Sequence, residues 1–256
     1  MNNSCEKLKT VVAAVENMKV KFDAYIEDDQ GLFTTDEKKN LLDPESQTFN
    51  EHYTNIMNKA PEIKSSLEKY PEHLARTNST IEDLEAKIQE IVKCTAKLND
   101  LPNPDNEQQQ QPNKTSMLEA LNQQRINLNQ SLESLKKKKQ ALEANYSQMS
   151  ELIEKIPLGP SKAAESDQGS QNKKEVLKHI EQQGRIIASV SGIFNQLSSL
   201  ASTLKQSFSA LSTLISKANH VMGAADQTLI GANNFLSDPK NIKKEQPSCE
   251  NSPNLK

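Results

Sequence analysis

Tryptophan is absent from this chain, and aromatic residues make up only 4% of its 256 residues. Glycine is also scarce, with 7 residues, so the chain has few residues for the tight turns of a β fold. Hydrophobic residues amount to 34%, and the mean hydropathy is −0.74. Such a composition cannot fill a wide core, but it suffices for long helices that bury a narrow apolar seam.

Cysteine and net charge exclude further classes of protein. Cys5, Cys94 and Cys249 are odd in number and widely spaced, which is typical of free thiols in a reducing compartment. The net charge of −3 gives no basic face for nucleic acid. The first residues lack the uninterrupted apolar run of a secretory signal. We therefore expect a cytoplasmic protein, or one exported without a cleavable signal peptide, that does not bind nucleic acid.

Residue types that carry catalytic or metal chemistry are scattered along the chain. The four histidines form no pair at i, i+4, and no two cysteines have the spacing of metal ligands. No glycine-rich loop could hold a phosphate group. The sequence therefore predicts no enzyme, no cofactor and no metal site.

The apolar pattern predicts an all-α protein, an elongated antiparallel helical bundle or coiled-coil hairpin with shorter N-terminal helices. Apolar residues alternate at intervals of three and four over residues 4–28, and Thr34 and Glu37 form a capping-box pattern. Pro61 and Pro71 predict that the region 45–76 breaks into two or three short helices.

Further capping-box patterns predict where the later helices begin. Ser79 and Glu82 predict one helix start, and Ser116 and Glu119 predict another, because each pair has the spacing that satisfies two backbone donors. The resulting division is a proline-interrupted helical region at 1–100, a polar linker at 101–115, a long antiparallel helical hairpin at 116–236 and a disordered tail at 237–256. The second helix of the hairpin is expected over residues 173–236.

The first helix of the hairpin carries two cations on its apolar seam. Leucine or another apolar residue recurs at heptad spacing from Leu118 to Ile156, but Arg125 and Lys139 occupy two of these positions. One interpretation is that their stems pack while their charged groups reach water. The other is that they set the register of the helices or accept an acidic partner.

The most informative segment is the helix expected at 186–236. Its apolar positions form a wide face, yet Ser, Thr, Asn and Gln fill the opposite face, and no charged residue occurs from Ile186 to Leu204. The candidate contact residues for a partner or for lipid lie on the apolar face. They are Phe194, Leu197, Leu200, Leu204, Phe208, Leu211 and Ile215.

Two arrangements of this helix are open on the sequence alone. Its polar content disfavours a transmembrane helix, because the hydroxyl and amide groups would lose their hydration. It resembles an amphipathic lipid-packing sensor, which lies on a membrane surface, but it also suits the central helix of a bundle covered by its own chain.

Two functions follow from these patterns. The first is a non-enzymatic helical protein that acts through coiled-coil-type contacts with protein partners or with itself, and a secreted bacterial effector or translocator is one form of it. The alternative is a membrane-active protein, pore-forming or curvature-sensing, that uses the charge-poor helix at 186–236.

Overall fold

The computed structural model describes residues 3–28, 31–101, 111–157 and 172–238. The regular structure of these ranges is helical and contains no β-strand. A short helix at Thr35–Glu37 is followed directly by one π-helical turn at Lys38–Leu42. The α-helices are α1 (Asn3–Glu27), α2 (Thr35–Glu37), α3 (Asp43–Asp100), α4 (Gln111–Glu154) and α5 (Lys173–Ser237).

The predicted fold class is confirmed, because the helices pack against one another as an all-α helical bundle. The bounds expected for α1 and α5 agree with the structure within one residue at each end. Residues 102–110 of the predicted linker and residues 239–256 of the predicted tail lie outside the described residues, as does the predicted loop at 158–171.

The predicted break of the N-terminal region is wrong, because α3 is one continuous helix that contains both Pro61 and Pro71. Both proline rings are exposed, while Ile63 and Leu67 beside them are fully buried. Burial of the neighbouring side chains thus outweighs the lost backbone hydrogen bond at each proline. Local propensity is overridden by packing on the opposite face of the helix.

Two of the three capping boxes are also corrected by the structure. The pair at Ser79 and Glu82 lies inside α3, and the pair at Ser116 and Glu119 lies inside α4. Of these three pairs, only Thr34 and Glu37 form a capping box, in which the Thr34 hydroxyl accepts from the Glu37 amide and the Glu37 carboxylate accepts from the Thr34 amide. The spacing of a capping box therefore identifies a helix start only where the helix does not continue upstream.

Replacing Pro61 by alanine should raise the free energy of unfolding by roughly 1–3 kcal/mol, because alanine restores a backbone donor and removes a clash inside α3. The proline ring is exposed, so the substitution leaves no cavity. Urea denaturation followed by circular dichroism measures the change. A loss of stability would show instead that the bundle requires a bend of α3 at this residue.

The chain forms two compact units, of which the first contains the described residues of Met1–Ala75 and Lys138–Ala210. The rings of Phe22 and Phe49 stack between α1 and α3, with centroids 3.9 Å apart. The first turns of α1 lie beside the last turns of α4, where the Ser4 hydroxyl donates to the Ser150 hydroxyl at 2.9 Å. Apolar packing and a few side-chain hydrogen bonds thus hold the first unit together.

Helices α3 and α5 run parallel within the first unit. The Asn55 amide donates to the Ser191 hydroxyl at 2.8 Å, and further along both helices the rings of His73 and Phe208 stack with centroids 4.1 Å apart. Between these contacts, the Ser66 hydroxyl donates to the backbone carbonyl of Ala201 at 3.4 Å. In these three contacts, a higher residue number on α3 is paired with a higher residue number on α5. The two helices therefore run in the same direction.

A buried aspartate holds the connection between α1 and α2 in the same unit. Asp28 has a φ of 51°, and its carboxylate accepts from the Leu32 and Phe33 amides at 2.8 and 3.0 Å. The Lys38 ammonium lies 3.2 Å from the same carboxylate. Burial would raise the pKa of Asp28, but the hydrogen bonds from Phe33 and Leu32, with those from Lys38, outweigh it and lower the pKa.

The second unit contains the described residues of Arg76–Lys137 and Leu211–Lys256, which come from α3, α4 and α5. The Lys136 ammonium of α4 pairs with the Glu85 carboxylate of α3 at 2.8 Å. An apolar core of heptad-spaced leucines and isoleucines lies beneath this ion pair. Its fully buried members from α3 and α4 are Leu84, Ile91, Leu98, Leu121, Leu128 and Leu135.

Candidate interaction surface

A surface groove lies between α3 and α5 in the second unit, and we call it the α3–α5 groove. The spacing i, i+3, i+4, i+7 recurs on both helices, so each helix presents one continuous face to the groove. The lining residues are Glu90, Lys93, Cys94 and Lys97 of α3, with Asp226, Leu229, Ile230 and Asn233 of α5.

The floor of the groove is apolar and is only partly covered. Cys94 and Leu229 are buried, at 5% and 7% exposure, whereas Ile230 is 53% exposed. Single exposed apolar side chains are common on protein surfaces. Ile230 differs because it lies in a concave surface, beside buried apolar neighbours and charged side chains, as residues at a binding site do.

The charges of the groove are separated along its length. At one end, the Lys87 ammonium lies 2.6 Å from the Glu90 carboxylate and 2.7 Å from the Asp226 carboxylate. Hydrogen bonds to Asp226 and then to Glu90 raise the pKa of Lys87. Among the described residues, Lys93 and Lys97 have no carboxylate within 4.0 Å.

The cysteine of the groove has no sign of nucleophilic activation. Burial raises the pKa of the Cys94 thiol, against a smaller opposing effect of Lys97. The thiol is therefore protonated at neutral pH and behaves as a small apolar side chain. Cys5 of α1 has the same character, because burial also raises its pKa.

The apolar candidates on α5 do not form an exposed surface. Phe194, Leu197, Leu204 and Leu211 are fully buried, and Phe208 and Ile215 have exposures of 6% and 8%; Leu200 is half-buried. Burial by the chain itself is the second of the two arrangements that the sequence left open. Contact of these side chains with lipid would require α5 to leave the helices packed against it.

The two cations predicted on the seam of α4 contact only their own helix among the described contacts. Arg125 is exposed, and its guanidinium donates to the Asn122 side-chain carbonyl at 2.9 Å. The Lys139 ammonium lies 3.7 Å from the Glu143 carboxylate. The cation that reaches a neighbouring helix is Lys136, whose pKa is raised by its hydrogen bond to Glu85.

The α3–α5 groove was not predicted from the sequence. Its two faces lie on segments far apart in the chain, and each contains an ordinary mixture of apolar and charged residues. The one local signal is Ile230, because its neighbours at helical spacing, Asp226, Gln227, Asn233 and Asn234, are all polar or charged. An isoleucine among such residues is unusual for the core-facing stripe of a helix.

Metal-binding groups, membrane-spanning helices and similarity to known proteins are each indications of the class of a protein. The described residues contain no group of three or more His, Cys, Asp or Glu side chains that could hold a metal ion. None of the described helices combines the length and apolar content that crossing a bilayer requires. The chain has no significant match to a protein-family model, a curated protein or a solved structure.

Proposed function

We propose that this chain is a non-enzymatic helical interaction protein that binds an amphipathic helix in the α3–α5 groove. The observation that carries the proposal is the exposure of Ile230 above an apolar floor, beside two lysines that have no acidic partner within the described part of the chain. An amphipathic helix binds such a groove by placing apolar residues at i, i+3 and i+4 against the floor.

The charges of the groove define the partner further. Lys93 and Lys97 are four residues apart on one face of α3, so acidic side chains one turn apart on the partner helix would lie opposite them. Aspartate or glutamate beside an apolar stripe is therefore the expected signature of the bound helix. The charged rim contributes mainly to specificity and association rate, and Ile230 contributes mainly to affinity.

Two of the four histidines and both described cysteines have structural positions, which supports a non-enzymatic function. His73 stacks on Phe208, and the ring of His179 stacks on Tyr25 with centroids 5.6 Å apart. Both described cysteines are buried thiols.

The proposal applies equally to a cytoplasmic protein and to an effector exported without a cleavable signal peptide, and cell fractionation separates the two.

Selection from a displayed library of amphipathic helical peptides against the full-length chain tests this function. We expect the selected peptides to carry acidic residues one turn apart, and to bind the Ile230→Asp variant roughly tenfold or more weakly than the wild type. Val20→Asp is the matched control, because Val20 is 69% exposed on α1 in the first unit. Peptides that bind Ile230→Asp as tightly as the wild type would contradict the proposal.

A further inference from the structure

A second groove of the second unit lies between α4 and α5, and we call it the α4–α5 groove. Its α5 wall is formed within residues 214–221, whereas the α3–α5 groove uses residues 226–233. At 3.6 residues per turn, these two sets of residues lie about half a turn apart around α5, so the grooves are on opposite sides of the helix. The α4–α5 groove has a volume of about 680 Å³, which is in the range of small-molecule sites.

The α5 wall carries the positive charge of the groove. Ser216, Lys217 and His220 lie within about one turn of the helix, and all three are exposed. Leu214 and Val221 are half-buried beside them and make the rest of this wall apolar. No aspartate or glutamate occurs among the described lining residues, although the chain has more acidic than basic residues. The groove therefore has the charge of a site for an anion.

The acidic residues nearest in sequence to the two walls interact with groups on the side of α3. Glu133 is on the same face of α4 as Lys136, whose pKa is raised by its hydrogen bond to Glu85 of α3 and, to a smaller extent, by the charge of Glu133. Asp226 of α5 pairs with the Lys87 ammonium of α3 at 2.7 Å. Neither Glu133 nor Asp226 lines the α4–α5 groove.

The α4 wall consists of uncharged hydrogen-bonding side chains at helical spacing. They are Asn127, Gln130, Ser131 and Ser134. The Asn127 side-chain carbonyl accepts from the Gln123 amide at 3.1 Å, so the NH₂ group of Asn127 supplies the donors at this position. The Ser134 hydroxyl donates to the Gln130 backbone carbonyl at 2.8 Å, and its oxygen keeps the capacity to accept. This wall thus offers both donors and acceptors.

A buried acceptor lies at one end of the same wall. Gln124 is three residues before Asn127 on the same face of α4, and its side-chain carbonyl is buried with no hydrogen-bond partner among the described residues. A buried acceptor without a partner is destabilising, and a hydroxyl donor at this end of the groove would remove that cost. A ligand that carries hydroxyl groups therefore suits this wall better than a simple anion does.

We propose that the α4–α5 groove binds a small phosphorylated polyol. The phosphate group has three strong acceptor oxygens, and Ser216, Lys217 and His220 supply O–H and N–H donors for them. The hydroxyl groups of the ligand contact the α4 wall, which extends about 10 Å from Asn127 to Ser134 at about 1.5 Å per residue. That length accommodates one sugar ring. The site is separate from the groove on which the proposed function depends.

Isothermal titration calorimetry of the full-length chain tests the class of ligand. Glucose 6-phosphate and inositol 1-phosphate are the probes, and glucose and inorganic phosphate are comparators that each keep one half of the chemistry. Each probe should bind roughly tenfold or more tightly than either comparator, because only the probe contacts both walls. Inorganic phosphate that binds as tightly as the probes, or an absence of binding by both probes, would overturn the proposal.

Substitutions test the position of the site. Lys217→Gln should weaken the binding of glucose 6-phosphate roughly tenfold, and Ser131→Ala should weaken it roughly threefold. Lys205→Gln is the matched control, because Lys205 is exposed on the same helix outside the groove and its loss changes the net charge equally. Circular dichroism checks that each variant is folded. Equal losses for Lys217→Gln and Lys205→Gln would show attraction by net charge alone and would overturn the site.

The same ligand chemistry occurs in free sugar phosphates and in phosphoinositide headgroups, and vesicle flotation separates these two sources. Phosphatidylcholine vesicles that contain phosphatidylinositol 4-phosphate are compared with vesicles of phosphatidylcholine alone. Flotation that requires both the phosphoinositide and Lys217 supports a lipid headgroup as the ligand. Binding of the soluble probes without flotation supports a free sugar phosphate. Flotation that persists in Lys217→Gln would overturn the lipid headgroup as the ligand of this groove.

This inference and the proposed function fail separately. Ile230→Asp should leave the affinity for glucose 6-phosphate within about threefold of the wild type, because Ile230 lines the α3–α5 groove on the other side of α5. Lys217→Gln should likewise leave the binding of selected helical peptides unchanged within about threefold. A chain that binds the peptides but neither phosphorylated probe would overturn this inference and leave the proposed function standing.

Discussion

Replacing Phe194 with alanine should lower the free energy of unfolding by about 3–5 kcal/mol, because its ring is fully buried in the first unit. The substitution removes apolar surface from the core and leaves a cavity that neighbouring side chains fill only in part. Urea denaturation monitored by circular dichroism gives the change directly. A change of this size is a large fraction of the total free energy of unfolding of a small domain.

Gln196→Ala provides the matched control on the same helix. Gln196 is exposed two residues further along α5, and its replacement should change stability by no more than about 0.5 kcal/mol. A loss below about 1 kcal/mol for Phe194→Ala would contradict the burial of this face. It would then favour the alternative in which the apolar side of α5 is uncovered in solution.

The burial of Phe194 also changes how a membrane hypothesis can be tested. A charged residue at this position, or at Leu204, would be placed in the core and would unfold the first unit whatever its effect on lipid binding. Loss of vesicle binding by such a variant would therefore carry no information about a lipid surface. Only exposed positions of α5, such as Gln196, can report on contact with a membrane by the folded chain.

Asp28→Ala is expected to cost about 2–4 kcal/mol, because it leaves the Leu32 and Phe33 amides without their acceptor and places alanine at a positive φ. The side chain is buried, at 8% exposure, so water does not replace the carboxylate fully. Asp28→Asn should cost about half as much, since asparagine keeps one acceptor oxygen and tolerates the left-handed conformation. Thermal or urea unfolding of the three proteins measures both effects.

The pH dependence of stability provides a second readout at Asp28. Folding lowers the pKa of this carboxyl, so its contribution is complete above the pKa of the unfolded chain and is lost as the pH falls through the folded value. The stability difference between wild type and Asp28→Asn should be constant near neutral pH and should shrink below about pH 4. A difference that grows on acidification would show that the carboxylate is not stabilised by folding.

A second carboxylate of the same region also stabilises the fold only while it is ionised. The hydrogen bond from the Lys173 ammonium, followed by that from the Thr34 amide, lowers the pKa of Glu37 to about 2. Glu37 thereby connects the capping box of α2 to the first residue of α5. Because Glu37 of the unfolded chain takes up a proton near pH 4, its stabilising contribution is also lost as the pH falls from about 4 towards the folded value. The difference between wild type and Asp28→Asn still reports on Asp28, since Glu37 is present in both proteins.

The helix predictions succeeded where the local apolar pattern decides the helix, and they failed where tertiary packing decides it. The predicted bounds of α1 and α5 agree with the structure, because apolar residues stop recurring at helical spacing close to the ends of both helices. The break expected at Pro61 and Pro71 did not occur, because tertiary burial of Ile63 and Leu67 stabilises α3 through both prolines. A proline rule describes an isolated helix, whereas the neighbours of α3 supply free energy that the local sequence does not contain.

Prediction of the α3–α5 groove from the sequence has a similar limit, because the groove depends on how the helices pack. The sequence directs attention to α5 and to its uncharged polar face, but periodicity cannot tell which other helices cover its apolar side. The α3–α5 groove depends on the alignment of residues 90–97 with residues 226–233. Contacts between residues so distant in sequence arise only when the helices pack, because each face taken alone resembles an ordinary amphipathic surface.

By itself, the sequence determined that this protein is helical and that the segment 186–236, most of α5, is poor in charge. These properties follow from residue composition and from the period of apolar residues, which act within a single helix. The tertiary structure alone decided that Phe194 and its neighbours are core residues and that Ile230 is exposed in a charged groove. Burial is a property of what packs against a residue, and that partner is contributed by another part of the chain.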